Sequence, residues 1–310
     1  MGESIAQPSQ LKLAQYAGIL AFGTVAYWLL GQLGVHIAHV HEPYVGPLGL
    51  AAGVGFALLI IFGYRYWPAI AIGTLAVGLQ HGLPPLVAGA IAVANVLNTL
   101  LAVYLLRRYA DFDRTLGRLR DAMALVLICA FLGCALACAT AVAVLWFAGM
   151  VPQDELVAVW LNRWLASAAG VLVVAPYLLA LAASQIFGRG WRWYAEAAAL
   201  IVVTALVAAV AFTPLVFADG QRYPLAFAPL PTVMWAALRF AVPGAATASL
   251  LVAAISLAGT LSGAGPFAPL ARQESLALLA SYNAWVAMSG LVMGAAVAEL
   301  GRKAASGRLG

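Results

Sequence analysis

Apolar residues run almost without interruption along this chain, in stretches that neither alternate like a half-buried strand nor keep to one stripe of a helix. A helix rises about 1.5 Å per residue, so roughly 20 apolar residues cross the ~30 Å hydrocarbon core of a bilayer. Lipid offers backbone polar groups no partner, so only helices and closed barrels span it. Barrel strands alternate apolar and polar positions over about ten residues; these runs do not, and the pattern predicts an all-α, polytopic transmembrane bundle. About ten spans are expected, at Gln15–Gly34, Val45–Tyr64, Pro68–Leu79, Leu86–Leu106, Asp121–Ala148, Leu161–Ala183, Tyr194–Phe217, Leu225–Arg239, Gly244–Leu261 and Ser275–Glu299. The third and eighth are short and adjoin proline turns at Pro68 and Pro243. If they are re-entrant, buried in protein rather than crossing, the count becomes eight.

Composition agrees. Hydrophobic residues make up 65% of the 310 residues and charged residues 9%, against about 25% charge in an ordinary soluble domain. One integral membrane domain over residues 1–310 is expected, with no soluble domain. The first apolar stretch, Tyr16–Leu33, is longer than the apolar region of a cleavable signal and reads as a span.

Charge sets the orientation. With the N-terminus inside, the cytoplasmic segments collect Lys12, Arg65, Arg107, Arg108, Arg114, Arg118, Arg120, Arg189, Arg192, Arg239, Arg302, Lys303 and Arg308. Only Arg163, Arg222 and Arg272 of the 16 basic residues fall outside. This positive-inside bias places both termini in the cytoplasm. It also explains the net charge of +5 without nucleic acid. The loop Arg107–Arg120 is the main cytoplasmic landmark. A short echo links Phe62–Gly73 (FGYRYWPAIAIG) to Trp235–Ala246 (WAALRFAVPGAA), each with an arginine, an aromatic, a proline and then small residues. Duplicated halves would produce it.

Polar residues inside spans are costly and are functional candidates by default. Asn95 and Asn98 stand three residues apart on one face of the fourth span, as ligand contacts or as hydrogen-bonding glue between helices. Ser167 and Arg163 come near the start of the sixth span, and Arg163 is expected to snorkel to the outer interface. All 11 acidic residues sit at span ends or in loops, an arrangement that disfavours proton-coupled carriers. Cys129, Cys134 and Cys138 share one span and read as small hydrophobes. His36, His39, His41 and His81 lie on the outer side. The HIAHVHE run could ligate zinc or copper, respond to pH, or be chance histidines of a wet loop. Gly290, Gly294 and Ala298 form a small-residue stripe, suited to internal packing or to a homodimer seam. No Walker A loop, HExxH, GxSxG or CxxC occurs, so neither an enzyme nor a cofactor is expected.

The ordered motifs carry a resemblance. Gly46–Pro68 (GPLGLAAGVGFALLIIFGYRYWP), Asn95–Arg108 (NVLNTLLAVYLLRR), Gly170–Leu179 (GVLVVAPYLL), Tyr223–Phe240 (YPLAFAPLPTVMWAALRF), Gly259–Phe267 (GTLSGAGPF) and Glu274 follow one another along the chain. Together they resemble the first family of membrane-associated sensor (MASE) domains of bacterial signalling proteins. The resemblance implies a sensory module and makes Asn95, Asn98, Ser167, Arg65, Arg239 and Glu274 candidate ligand-binding residues. The family usually carries a glutamate where this chain has Asn98, a Gly-Asp pair where it has Ala166 and Ser167, and an opening tryptophan where it has Val45. Its members normally precede a histidine kinase, a diguanylate cyclase or a similar module. This sequence holds none, so a stand-alone sensor is expected to signal to a separate partner, a kinase, a cyclase or a transport protein, through Arg107, Arg108, Arg114, Arg118 and Arg120 or through Glu299–Gly310. The alternative is a transporter, or a transporter subunit, for a small solute.

Overall fold

The computed structural model describes residues 8–38, 49–183, 190–213, 223–268 and 270–306, and all their regular structure is helical. Helix α1 runs over Pro8–Ala38, α2 over Leu50–Phe62, α3 over Trp67–Gln80 and α4 over Pro85–Ala110. One continuous rod follows: α5 (Leu119–Ala124), a π-helical stretch (Leu125–Gly133) and α6 (Cys134–Phe147). Then come α7 (Leu156–Ala183), α8 (Trp191–Phe212), α9 (Pro229–Leu261) and α10 (Arg272–Ser306).

Among the described residues, seven helices are long and apolar enough to cross a membrane. Every expected span has a helix under it, but three of the ten do not stand as separate crossing helices. At 13 and 14 residues, α2 and α3 reach only about 20 Å. The expected eighth and ninth spans are the two segments of α9, which kinks back on itself at Ala241 (φ 52°, ψ −142°). Val233 before the kink and Ser249 after it lie 2.7 and 3.3 Å from a Cβ built at Gly290, so the segments pack side by side, and the first reaches only about 18 Å. The turn expected at Pro243 is therefore a reversal, with Pro243 in the first turn of the second segment, where a missing N–H costs nothing.

Helix α2 forms the centre. Its residues Gly53 to Ile60 are all buried, and it packs on α7, α1 and α4. Glycines allow the closest approach. A Cβ at Gly170 would lie 2.2 Å from the Gly49 carbonyl oxygen, and one at Gly53 would lie 2.5 Å from that of Gly170. The Gly49 N–H donates to the Ala166 carbonyl at 2.7 Å, tying the start of α2 to α7. Helix α1 lies outside, with Phe22, Val25 and Leu29 exposed, as lipid-facing residues should be.

The second half wraps α9 with α8, α10 and α7. Gly290 and Gly294 turn inward: a Cβ at Gly290 would meet Val233 at 2.7 Å, and one at Gly294 would meet the Ala241–Val242 backbone at 2.9 Å. The small-residue stripe is therefore internal packing at these two positions. The echoed segments both turn on a positive-φ residue, Gly63 (φ 100°) in one and Ala241 in the other. Gly63 precedes its arginine and Ala241 follows its own, so the echo does not extend to backbone geometry.

The π stretch also has a role. Such a segment disturbs the regular carbonyl pattern, and freed groups in a span need other partners. Trp164 Nε1 donates to the Phe131 carbonyl and Trp160 Nε1 to that of Ala135, each at 3.1 Å. The two indoles stack with centroids 5.5 Å apart. This seam fixes α6 against α7 next to the cavity described below.

Candidate functional site

A cavity of about 210 Å³ lies among α1, α3, α4, α6, α7 and the first turn of α2. Its walls are mostly apolar, with polar groups from several helices converging on it. Asn95 on α4 donates from Nδ2 to Thr74 Oγ1 on α3 at 3.5 Å. Thr74 Oγ1 donates in turn to the Tyr27 hydroxyl on α1 at 3.1 Å. On the opposite wall Ser167 Oγ of α7 faces Cys138 Sγ of α6 at 3.6 Å. Arg163 and His81 complete the polar lining. His81 contacts Gln32 Oε1 through Nε2 at 2.7 Å. Gln80 Oε1 accepts from Trp28 Nε1 at 2.7 Å and from Gln32 Nε2.

The candidate residues thus divide. Asn95, Ser167 and His81 meet at the cavity. Asn98 does not line the cavity and donates to Thr140 Oγ1 of α6 at 3.0 Å and to the Ala94 carbonyl, a bond from helix to helix. Helix α7 begins at Leu156 rather than near Leu161, so Arg163 lies about two turns inside it, half-buried and on the cavity wall. Cys134 and Cys138 line the cavity and Cys129 does not. His36 lies in the last turn of α1, while His39 and His41 fall outside the described residues. No group of three or more His, Cys, Asp or Glu that could hold a metal exists among the described residues.

Arg65, Arg239 and Glu274 sit elsewhere. Arg65 stacks over Tyr16 and Tyr66, 5.8 and 5.1 Å from their ring centroids. Arg239 pairs with Glu196 of α8 just before the kink of α9 at Ala241. Glu274 is exposed in the first turn of α10.

Sequence reasoning missed Tyr27 and Thr74, which look like ordinary span residues until three helices bring them to one point. It also missed a second polar pair. Asn283 on α10 is 1% exposed and donates from Nδ2 to Ser256 Oγ on α9 at 3.1 Å. A lone amide in an apolar run was the available signal.

A family model matches this architecture over nearly its whole length: that of MASE1, over residues 19–300. The chain belongs to the MASE1 family. It is therefore a multi-pass membrane protein of a sensor-domain family, and the cavity lies within the matched region. No curated protein matches the chain, and no solved structure does.

The arginine-rich end of this MASE1 domain forms a second polar assembly. Arg107 donates through Nη2 to the Leu59 and Ile60 carbonyls, each at 3.0 Å, and so caps the end of α2. Arg118 and Arg120 pair with Asp111 at 3.6 and 3.2 Å. Arg108 lies over Tyr109, 5.8 Å from its ring centroid. Arg114 is exposed and makes no ion pair among the described residues. The loop folds on itself: the Thr115 N–H donates to Asp113 Oδ1 at 3.0 Å. That bond and the cations of Arg118 and Arg302 hold the Asp113 carboxyl below the usual carboxylate range. The end of α10 grips the same loop. Glu299 Oε2 accepts from the Leu119 N–H at 2.9 Å, and Arg302 donates to the Gly117 carbonyl. Asp121 is fully buried beneath it, with Oδ1 accepting from the Asp113 N–H at 3.3 Å.

Proposed function

We propose that this MASE1 domain is a ligand-binding sensor: a small molecule occupies the cavity among α1, α3, α4, α6 and α7, and its presence is passed to a separate signalling partner at the arginine-rich end. The observation that carries this reading is the continuity between the two polar assemblies. Asn95 and Thr99 of α4 line the cavity, and Arg107 of the same helix holds the end of α2. Beyond it, the loop that follows α4 is gripped by the end of α10. A ligand that favours one packing of α4 against α2 and α6 biases the loop and α10 with it, and can do so only by its differential affinity for the two arrangements. The positive-inside bias assigns this end, and both termini, to the cytoplasm. There Arg114 is the cation most available to a histidine kinase, a cyclase or a transport protein. The membrane is then the inner membrane of a bacterium.

The test fills the cavity. Ala137→Phe on its α6 wall is expected to change hydrogen exchange in residues 111–119 and to alter capture of a signalling partner by a photocrosslinker at position 114 in native membranes. Unchanged exchange and capture would remove the sensor reading. Solute uptake by proteoliposomes that Ala137→Phe abolishes would replace it with a carrier.

A further inference from the structure

Resting on that reading, we infer that the cavity takes a small organic monocarboxylate, with its carboxylate toward Arg163 and its apolar end among Leu30, Val77, Ile91 and Leu145.

The charge of the lining gives the sign. Among the described residues, the cavity wall carries Arg163 and His81 but neither aspartate nor glutamate. Arginine presents five N–H donors in a planar fork, so it can keep a protein partner and still offer a pair to a carboxylate. Low dielectric around a cavity inside a bundle strengthens that attraction and penalises a bound cation. The first turn of α2 adds to it. Gly49, Leu50, Ala51 and Ala52 line the same space, and no side chain caps this helix, whose N-terminus favours negative charge. Ser167, Thr74 and the Tyr27 hydroxyl supply further polar contacts.

Size and polarity give the rest. A volume near 210 Å³ lies below the ~300 Å³ at which drug-sized pockets begin. The apolar wall would leave a free inorganic anion half in contact with hydrocarbon groups. A carboxylate with a short branched tail satisfies both ends.

Three isosteric probes separate charge from shape: 3-methylbutanoate, 3-methylbutanamide and 3-methylbutylamine. Each is titrated into the purified full chain in phosphatidylcholine nanodiscs, with thermal unfolding followed by tryptophan fluorescence. The carboxylate alone is expected to raise the midpoint. Arg163→Gln is expected to weaken its binding about tenfold or more, as loss of a charge-assisted pair should. Should Arg163→Gln fold poorly, Asn95→Asp places a negative charge on the facing wall at nearly constant shape, and is expected to weaken the carboxylate and to favour the amine. Equal binding of amide or amine by the unaltered protein would overturn the anion assignment while leaving a ligand-binding sensor. Oleate displacing the butanoate would overturn the size argument. No shift with any probe, together with loop exchange still altered by Ala137→Phe, would overturn this inference alone. No shift together with unaltered exchange would overturn the sensor reading as well.

Discussion

Gly170 is the position where the packing makes its sharpest demand. A Cβ there would lie 2.2 Å from the Gly49 carbonyl oxygen and 2.7 Å from the Leu50 nitrogen. Carbon and carbonyl oxygen approach to about 3.3 Å at closest, so Gly170→Ala must part α7 from α2 by roughly 1 Å. Both obstructing groups are backbone, so no rotamer change relieves the clash. The strain falls on a helix tied down at that point by the 2.7 Å bond from the Gly49 N–H to the Ala166 carbonyl. Overpacking costs about 1–3 kcal/mol and the strained hydrogen bond adds about 1. Better helix propensity returns about 1. The net expectation is a loss of about 1–3 kcal/mol. Gly89→Ala is the control: nothing lies within 4 Å of a Cβ there, so only propensity acts, and a gain of about 0.5–1 kcal/mol is expected. Equilibrium unfolding of both variants in mixed micelles measures the difference. Shifts of the same sign would refute the close approach of α2 and α7.

Other expectations follow from single contacts. Ala241→Gly should stabilise by about 1 kcal/mol, against the usual cost of glycine in a helix, because the φ of 52° at Ala241 favours a residue without Cβ; a loss in the same unfolding assay would refute the kink. A double-mutant cycle of Asn283→Ala and Ser256→Ala should give a coupling of about 0.6 kcal/mol, as buried pairs between membrane helices do. Arg107→Gln should leave the Leu59 and Ile60 carbonyls without their partner. It is expected to cost about 1–3 kcal/mol and to blunt the exchange response of residues 111–119 to Ala137→Phe. Because the folded-state pKa of Asp113 is depressed, its contribution to the loop is complete above the unfolded value of about 3.9 and is lost as pH falls through the folded one. Exchange in residues 111–119 should be insensitive to this group from pH 7 to 5 and rise in stronger acid, and Asp113→Asn should remove that acid dependence.

Long apolar runs made the helical class legible, because lipid leaves the backbone few choices. Motif order made the family legible. Helix termini were harder to read, and the errors have physical causes. Residues Leu156–Trp160 look like a loop extension but belong to α7, which sets Arg163 about two turns inside the helix and on the cavity wall. The run from Leu225 to Leu261 reads as two spans around Pro243, and the chain does fold back there; sequence misses only that the reversal falls two residues earlier, at Ala241, with Pro243 in the first turn of the second segment. At the site, Asn95 and Ser167 could be found because polar atoms in spans are rare. Asn98, one turn from Asn95, could not be separated from it by sequence, since only the position of Thr140 decides which way each amide turns. Of the five loop arginines, Arg107, Arg118 and Arg120 are engaged within the chain. Charge alone does not tell a docking surface from an internal cap.

Helix α2 explains why an apolar segment too short to cross can still matter. Its first turn lines the cavity and is held by the Gly49–Ala166 bond. Its last carbonyls are held by Arg107. Between them Gly53 to Ile60 are buried, in a closely packed interior that transmits strain. A strut of about 20 Å clamped at both ends does not absorb a displacement at one of them. A ligand that moves the Gly49 turn must therefore move α7, disturb the Arg107 cap, or both. The cap leads by α4 to the loop that α10 grips. A full-length crossing helix in the same place would meet lipid and water at its ends instead of Gly170 and Arg107, and would couple nothing. The shortness of α2 is what lets its first turn reach the cavity while its last carbonyls meet Arg107.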